Sequence, residues 1–333
     1  MNHPRVNFLG LGLLILAVVL TLLGASVGST GFDNLLRAAD DPVALQIVWD
    51  IRLPRTLGAW LAGALLGLAG AVAQGLFRNP LADPFLLGSA SGASLGVALS
   101  LVLFGVSPFA TQWLTRLGLT GGAFAGAVLG VLLTLLLAKG VQHTLRLLLA
   151  GVIVGVVLGA AKELIMLARP DFLQSMQAFM LGSTGYVGWN ACLIMLLAWL
   201  VCMAAAWALS PVLDGLALGE ATAASLGLPL ARLRAALVAV LALATGTAVA
   251  QTGLIAFVGL AAPHLVRSVV KTSHGRLIVL SSLMGGALLM AADILARWVL
   301  APLELPVGIL TAVLGGSYLL WLMHRRVTAG GML

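Results

Sequence analysis

A chain of 333 residues in which hydrophobic side chains make up 61% and charged ones 9% predicts an all-α polytopic membrane protein, a compact bundle of about ten transmembrane helices. Three observations carry that prediction. Mean hydropathy is +1.11, which a water-soluble domain reaches only by exposing apolar surface. The apolar residues fall into runs of about 20, the length that crosses a hydrocarbon core as a helix. Small residues recur every fourth position, as in Gly63 and Gly67, Gly88, Gly92 and Gly96, Gly122, Gly126 and Gly130, and Gly151, Gly155 and Gly159. That spacing lets helix backbones approach closely in lipid.

The first run, 8–29, follows basic Arg5. Its apolar stretch from Phe8 to Ala25 is longer than the core of a cleaved signal, so it is read as span one. Span two, 56–76, follows Arg52 and Arg55 in IRLPRTL. Pro80 and Pro84 forbid a continuous helix after it and Asn79 before Pro80 favours a turn, so span three covers 84–104. Spans four (118–138) and five (146–167) carry two of the glycine series. Lys162 and Glu163, near the end of span five, point about 100° apart on a helix, and each needs its own partner. Span six, 190–209, holds both cysteines, Cys192 and Cys202, on different faces, which excludes a disulfide between them. Spans seven and eight, 235–252 and 254–268, share a stretch barely long enough for two and broken at Gln251, Thr252 and Gly253. Span nine, 277–298, ends with Asp293 and Arg297, and span ten covers 307–323.

Orientation follows from the cations. With the N-terminus inside, eleven fall in cytoplasmic segments: Arg5, Arg78, Lys139, Arg146, Arg232, Arg234, Arg267, Lys271, Arg276, Arg325 and Arg326. Six fall outside: Arg37, Arg52, Arg55, Arg116, Arg169 and Arg297. The bias puts both termini and the 210–234 segment in the cytoplasm. The net charge of +7 therefore reports topology and not nucleic-acid binding, since no basic cluster with interleaved aromatics occurs. Arg52, Arg55 and Arg297 run against the trend. Exposed on the outer face, they ask for an acidic docking protein or a lipid headgroup.

No GxxxxGK[ST] phosphate loop, HExxH or CxxC occurs, so the chain is not an enzyme by any of these routes and binds no metal or cofactor of its own. Ionisable residues inside the spans are few, which counts against the alternative of an ion-coupled secondary transporter working without an ATPase. The whole chain, 1–333, reads as a single transmembrane domain containing one charged cytoplasmic island, 210–234, with Asp214, Glu220, Arg232 and Arg234. Within it LALGEATAASLG predicts a short helix preceded by Gly215 and Gly219 and ended by Gly227 and Pro229. A short helix between two spans is a socket for a soluble partner.

In order and at consistent spacing, RLPRTLGAWLAGALLGLAGAVAQGLFRNPLADPFLLGSASGA, LALGEATAASLGLP, FVGLAAPHLVR, ADILAR and LELPVGILTAVLG resemble successive signatures of one family. It is the FecCD/BtuC type of permease subunit from bacterial ABC importers for iron-siderophores, haem and vitamin B12. The resemblance covers about Ile47 to Trp321. It implies the type II importer permease architecture and alternating access. The implied partners are a second permease copy, a cytoplasmic ABC ATPase dimer holding ATP and Mg, a periplasmic or lipid-anchored binding protein, membrane lipid and a metal-chelate substrate, an iron-siderophore by family frequency. It places ATPase coupling at Leu218, Gly219, Glu220, Ala221, Leu226 and Gly227. The cytoplasmic gate falls at Asn79, Pro80 and Leu81 with Thr144 and Leu145, where the vitamin B12 permease carries serine in place of Leu145. Binding-protein docking falls at Arg52, Arg55 and Arg297.

Overall fold

The computed structural model describes residues 3–28, 31–32, 41–105, 113–138, 144–219, 222–223 and 229–330. In a hydrocarbon core the backbone must satisfy its own hydrogen bonds, and the apolar runs accordingly fold as helices. α1 (His3–Ser26) leads into a two-residue hairpin, β1 (Val27–Gly28) with β2 (Gly31–Phe32). α2 (Pro42–Ile47) continues through a π turn, Val48–Arg52, into α3 (Leu53–Leu76). Then come α4 (Ser89–Phe104), α5 (Trp113–Leu137), α6 (Thr144–Ala168), α7 (Leu173–Leu181), α8 (Trp189–Ala208) and α9 (Ser210–Ala217). α10 (Leu230–Thr252), α11 (Val258–Val269), α12 (His274–Trp298) and α13 (Val307–Gly330) complete the described chain.

Each of the ten predicted spans corresponds to a helix. Among the described residues seven helices are long and apolar enough to cross a membrane, Ser89–Phe104 and Val307–Trp321 are shorter apolar helices, and α11 has 12 residues. Span three begins five residues later than predicted. Asp83 caps a 3-10 turn at Pro84–Leu87 by accepting from Phe85 N at 2.8 Å, and Gly88, at φ 78°, ends it before α4 starts. The break between spans seven and eight lies where two residues take left-handed backbone, Gly253 (φ 71°) and Phe257 (φ 68°). Sequence reading missed α7, a short half-exposed helix that follows Pro170 and ends at Gly182.

α3 is the axis of the bundle. Leu65, Leu66 and Leu68 are buried, whereas α1 and α6 turn Leu11, Leu14, Val152 and Val156 outward to lipid. α12 crosses α3 where Gly63 and Gly67 face Gly285 and Ser281, so closely that a Cβ added at Gly63 would strike the Gly285 carbonyl. α4 and α5 repeat the device at Gly92, Gly96, Gly122 and Gly126. The helices leave two ends. The proximal end holds the start of α1, the turn after α3, α9 and the start of α12; the distal end holds Ser26, Arg52 and Arg297.

Candidate functional site

At the distal end the first turn of α3 and the last turns of α12 bring four charges together. Arg55 Nε donates to Asp293 Oδ1 at 3.2 Å and its Nη1 to Glu304 Oε2 at 2.7 Å. Arg297, one helical turn after Asp293, donates to the other oxygen of that carboxylate, to Thr56 Oγ1 at 3.1 Å and to the Gly24 carbonyl at 3.0 Å. The Thr184 hydroxyl also donates to Asp293. Arg52 reaches the carbonyls of Ala25 and Ser26, both at 3.4 Å. Two cations thus face two anions, and Asp293 is fully buried.

This overturns the expectation that the three arginines are exposed. Arg52 and Arg55 are each 8% exposed and Arg297 only 1%. A buried guanidinium left unpaired costs several kcal/mol. The chain supplies its own acids, and the end of α1 covers the cluster. A second expectation also fails: Lys162 and Glu163 pair with each other at 2.6 Å, because the long lysine stem bends over one residue. Cys192 and Cys202 are free and buried.

At the proximal end the chain leaves α3 through a turn in which Arg78 takes φ 51°. Asn79 Oδ1 accepts from Leu81 N at 2.9 Å, and Ala82 N donates to the Asn79 carbonyl at 3.0 Å. Asn79, Pro80 and Leu81 are exposed, and the Asn79 side chain shapes the turn. Leu145 is 68% exposed in the first turn of α6; the Thr144 side chain lies outside the described residues. The turn and α6 are bridged by the segment between them. Gly151 abuts the Leu86 carbonyl and Val154 sits against Gly88, about two turns inside the bundle. Thr134 satisfies the Leu87 carbonyl there at 2.9 Å. Burial pushes the Asp83 carboxyl above its ordinary range.

The island begins with a helix that sequence reading missed: α9 occupies 210–217, where Pro211 fits a first turn. Of the helix predicted after Gly219, Thr222 and Ala223 are helical and the remaining residues from Glu220 to Gly227 lie outside the described residues. Gly219 takes φ 115°, and Ala223 N donates to the Gly219 carbonyl at 3.0 Å. Leu218 is 71% exposed, while Ala223 is buried. Of the six coupling residues, Glu220, Ala221, Leu226 and Gly227 lie outside the described residues. Sequence reasoning missed the partner of Asp214, which is His274 at the start of α12, with Nδ1 and Oδ1 2.7 Å apart. It also missed Gln74, which accepts from Arg267 and donates to the Leu260 carbonyl at 3.1 Å, tying α3 to α11. Among the described residues no cluster of three or more His, Cys, Asp or Glu is placed to hold a metal ion.

Comparison with known proteins agrees along nearly the whole length. The FecCD transport family matches residues 13–325. The hemin transport system permease protein HmuU of Yersinia pestis is 37% identical over 318 residues, 94% of each chain. The vitamin B12 import system permease protein BtuC of Escherichia coli O157:H7 is 39% identical over 284 residues, 84% of this chain and 83% of the relative. A solved metal-chelate type ABC transporter in an inward-facing conformation superposes with a TM-score of 0.84 at 30% identity, over 95% of this chain and 98% of that one.

Proposed function

The chain belongs to the FecCD transport family, and from that premise we propose that it is the permease subunit of an ATP-driven importer, carrying a metal chelate across the inner membrane by alternating access. The observation that carries the reading is the near full-length likeness to the two permeases together with the 0.84 TM-score. In this reading the proximal end is cytoplasmic, as the cation bias suggests, and both termini lie there. A cytoplasmic ATPase dimer, which holds ATP and Mg, contacts Leu218–Gly227, and a second copy of this chain completes the pathway. This chain itself holds no cofactor. The turn Asn79–Leu81 and the start of α6 at Thr144 and Leu145 form the inner gate.

A binding protein docks at the distal end. Because Arg52, Arg55 and Arg297 are covered, its first contact is the exposed 299–304 segment, which Glu304 holds to Arg55. Displacing Glu304 would then offer Arg55 to an acid of the partner. Haem and a corrinoid are the cargo chemistries suggested by the relatives, and an iron-siderophore is the one suggested by the sequence resemblance. An ion-coupled transporter needs a carboxylate free to exchange protons; Asp293 is engaged by two arginines and Glu163 by Lys162. Uptake of haemin, cyanocobalamin and a ferric siderophore into proteoliposomes holding permease, ATPase and binding protein tests the reading. One probe should accumulate with ATP, and no accumulation of any probe would refute it.

A further inference from the structure

The start of α12 is capped from another helix. Ser273 occupies the N-cap position yet makes no side-chain bond to the helix. The amide of His274 is met by Asp214 of α9, whose Oδ1 accepts from the backbone N at 3.0 Å and lies 2.7 Å from the ring Nδ1. One carboxylate oxygen therefore grips both main chain and side chain of a single residue, at the positive end of a 25-residue helix. Apolar packing completes the seat. Leu213 and Leu216 are fully buried, Leu213 lies beside Gly75 at the end of α3, and Ser210 lies beside Gly275 of α12.

What lies on either side of this contact gives it meaning. One residue beyond α9 is Leu218, exposed where the proposed ATPase contact begins. In the other direction α12 is packed on α3 at Gly63, Gly67 and Gly285, and the distal ends of the two helices are tied by Asp293, Arg55 and Arg297. α3 runs straight into the turn at Asn79–Leu81. Close packing and the buried ion pairs thus join the two helices along their length, with α9 seated at their proximal end.

We propose that Asp214 and His274 form the joint that passes movement of the ATPase-facing island to the α3–α12 pair, and through it to the gate turn. Both are positioning residues, touching neither cargo nor nucleotide. The inference rests on the proposed ATPase contact and deepens it.

The test uses the permease–ATPase complex in lipid nanodiscs, with Cys192 and Cys202 replaced by alanine and spin labels at the exposed positions Leu81 and Leu145. In the otherwise wild-type complex, ATP with Mg shifts the distance distribution between labels. Asp214→Ala is expected to keep the ATPase bound and its nucleotide affinity unchanged while losing at least half of that shift. Asp214→Asn retains an acceptor for the His274 amide and should restore most of it, a rescue that general loosening of the fold would not give. His274→Ala keeps the amide bond alone and should fall between. Asp214 is half-exposed, so its variants should remain folded. A full shift in Asp214→Ala, or loss of ATPase binding there, overturns the joint while leaving the proposed function standing. Absence of any ATP-driven shift in the wild-type complex overturns the proposed function and the joint with it.

Discussion

Replacing Asp293 by alanine removes the one carboxylate shared by Arg55 and Arg297, and the cost can be worked from their burial. Asp293 is 0% exposed, and Arg297 and Arg55 are 1% and 8% exposed. Afterwards Arg55 keeps Glu304 at 2.7 Å, while Arg297 keeps the neutral oxygens of Thr56, Gly24 and Val27. The cluster goes from neutral to one uncompensated buried cation. Breaking a buried pair in this way costs about 3–5 kcal/mol, and at about 1.4 kcal/mol per factor of ten the folded-to-unfolded equilibrium constant falls by roughly two to four orders of magnitude. Thermodynamic unfolding in bicelles, by steric trapping with tags on the α3 and α12 ends, reads this directly. The double variant Asp293→Ala/Arg297→Met, which removes the excess charge, should recover most of the loss. An Asp293→Ala protein within about 1 kcal/mol of wild type would refute the reading of the cluster as a buried structural tie.

Other predictions follow from the packing and from the islands outside it. Gly63→Val places a side chain against the Gly285 carbonyl and should destabilise by about 1–3 kcal/mol in the same bicelle measurement, with little effect expected at Gly12, where a Cβ meets nothing. Asp83 ionises less readily in the fold than in the unfolded chain, because burial raises its carboxyl above 3.8. Its contribution is therefore fully present below that value and is lost as pH rises through the folded one. Asp83→Asn should raise Tm at pH 7 and leave it unchanged near pH 3, as read by thermal melts in detergent. Glu220→Arg, or deletion of 218–227, should abolish ATP-dependent uptake while the permease still purifies as a folded protein, and unchanged uptake would remove this segment from the coupling role.

The ten spans were legible because length and apolarity are nearly sufficient in lipid: no competing structure satisfies the backbone of a run such as Leu230–Thr252. Boundaries were legible where proline acts locally. The start of α4 was not, since it depends on Asp83 capping a 3-10 turn and on Gly88 ending it. The distal arginines were misread for a different reason. The partners of Arg55 stand 238 and 249 residues away in sequence, and only the fold shows that Asp293 and Glu304 reach it. One signal was available: Asp293 and Arg297 are four apart on a helix, the spacing of an intrahelical pair. Likewise Pro211, four residues before Gly215, marked the first turn of α9, and the charge of Asp214 pointed to a partner whose identity needed three dimensions.

The central claim is that this chain moves a chelate only when an ATPase drives it. The direct measurement is uptake of haemin, cyanocobalamin and a ferric siderophore by proteoliposomes containing the permease with its ATPase and binding protein, compared with the permease alone under a proton or sodium gradient. One cargo should accumulate with ATP in the complete system and none with the permease alone. Gradient-driven uptake by the permease alone, indifferent to ATP, would contradict the account.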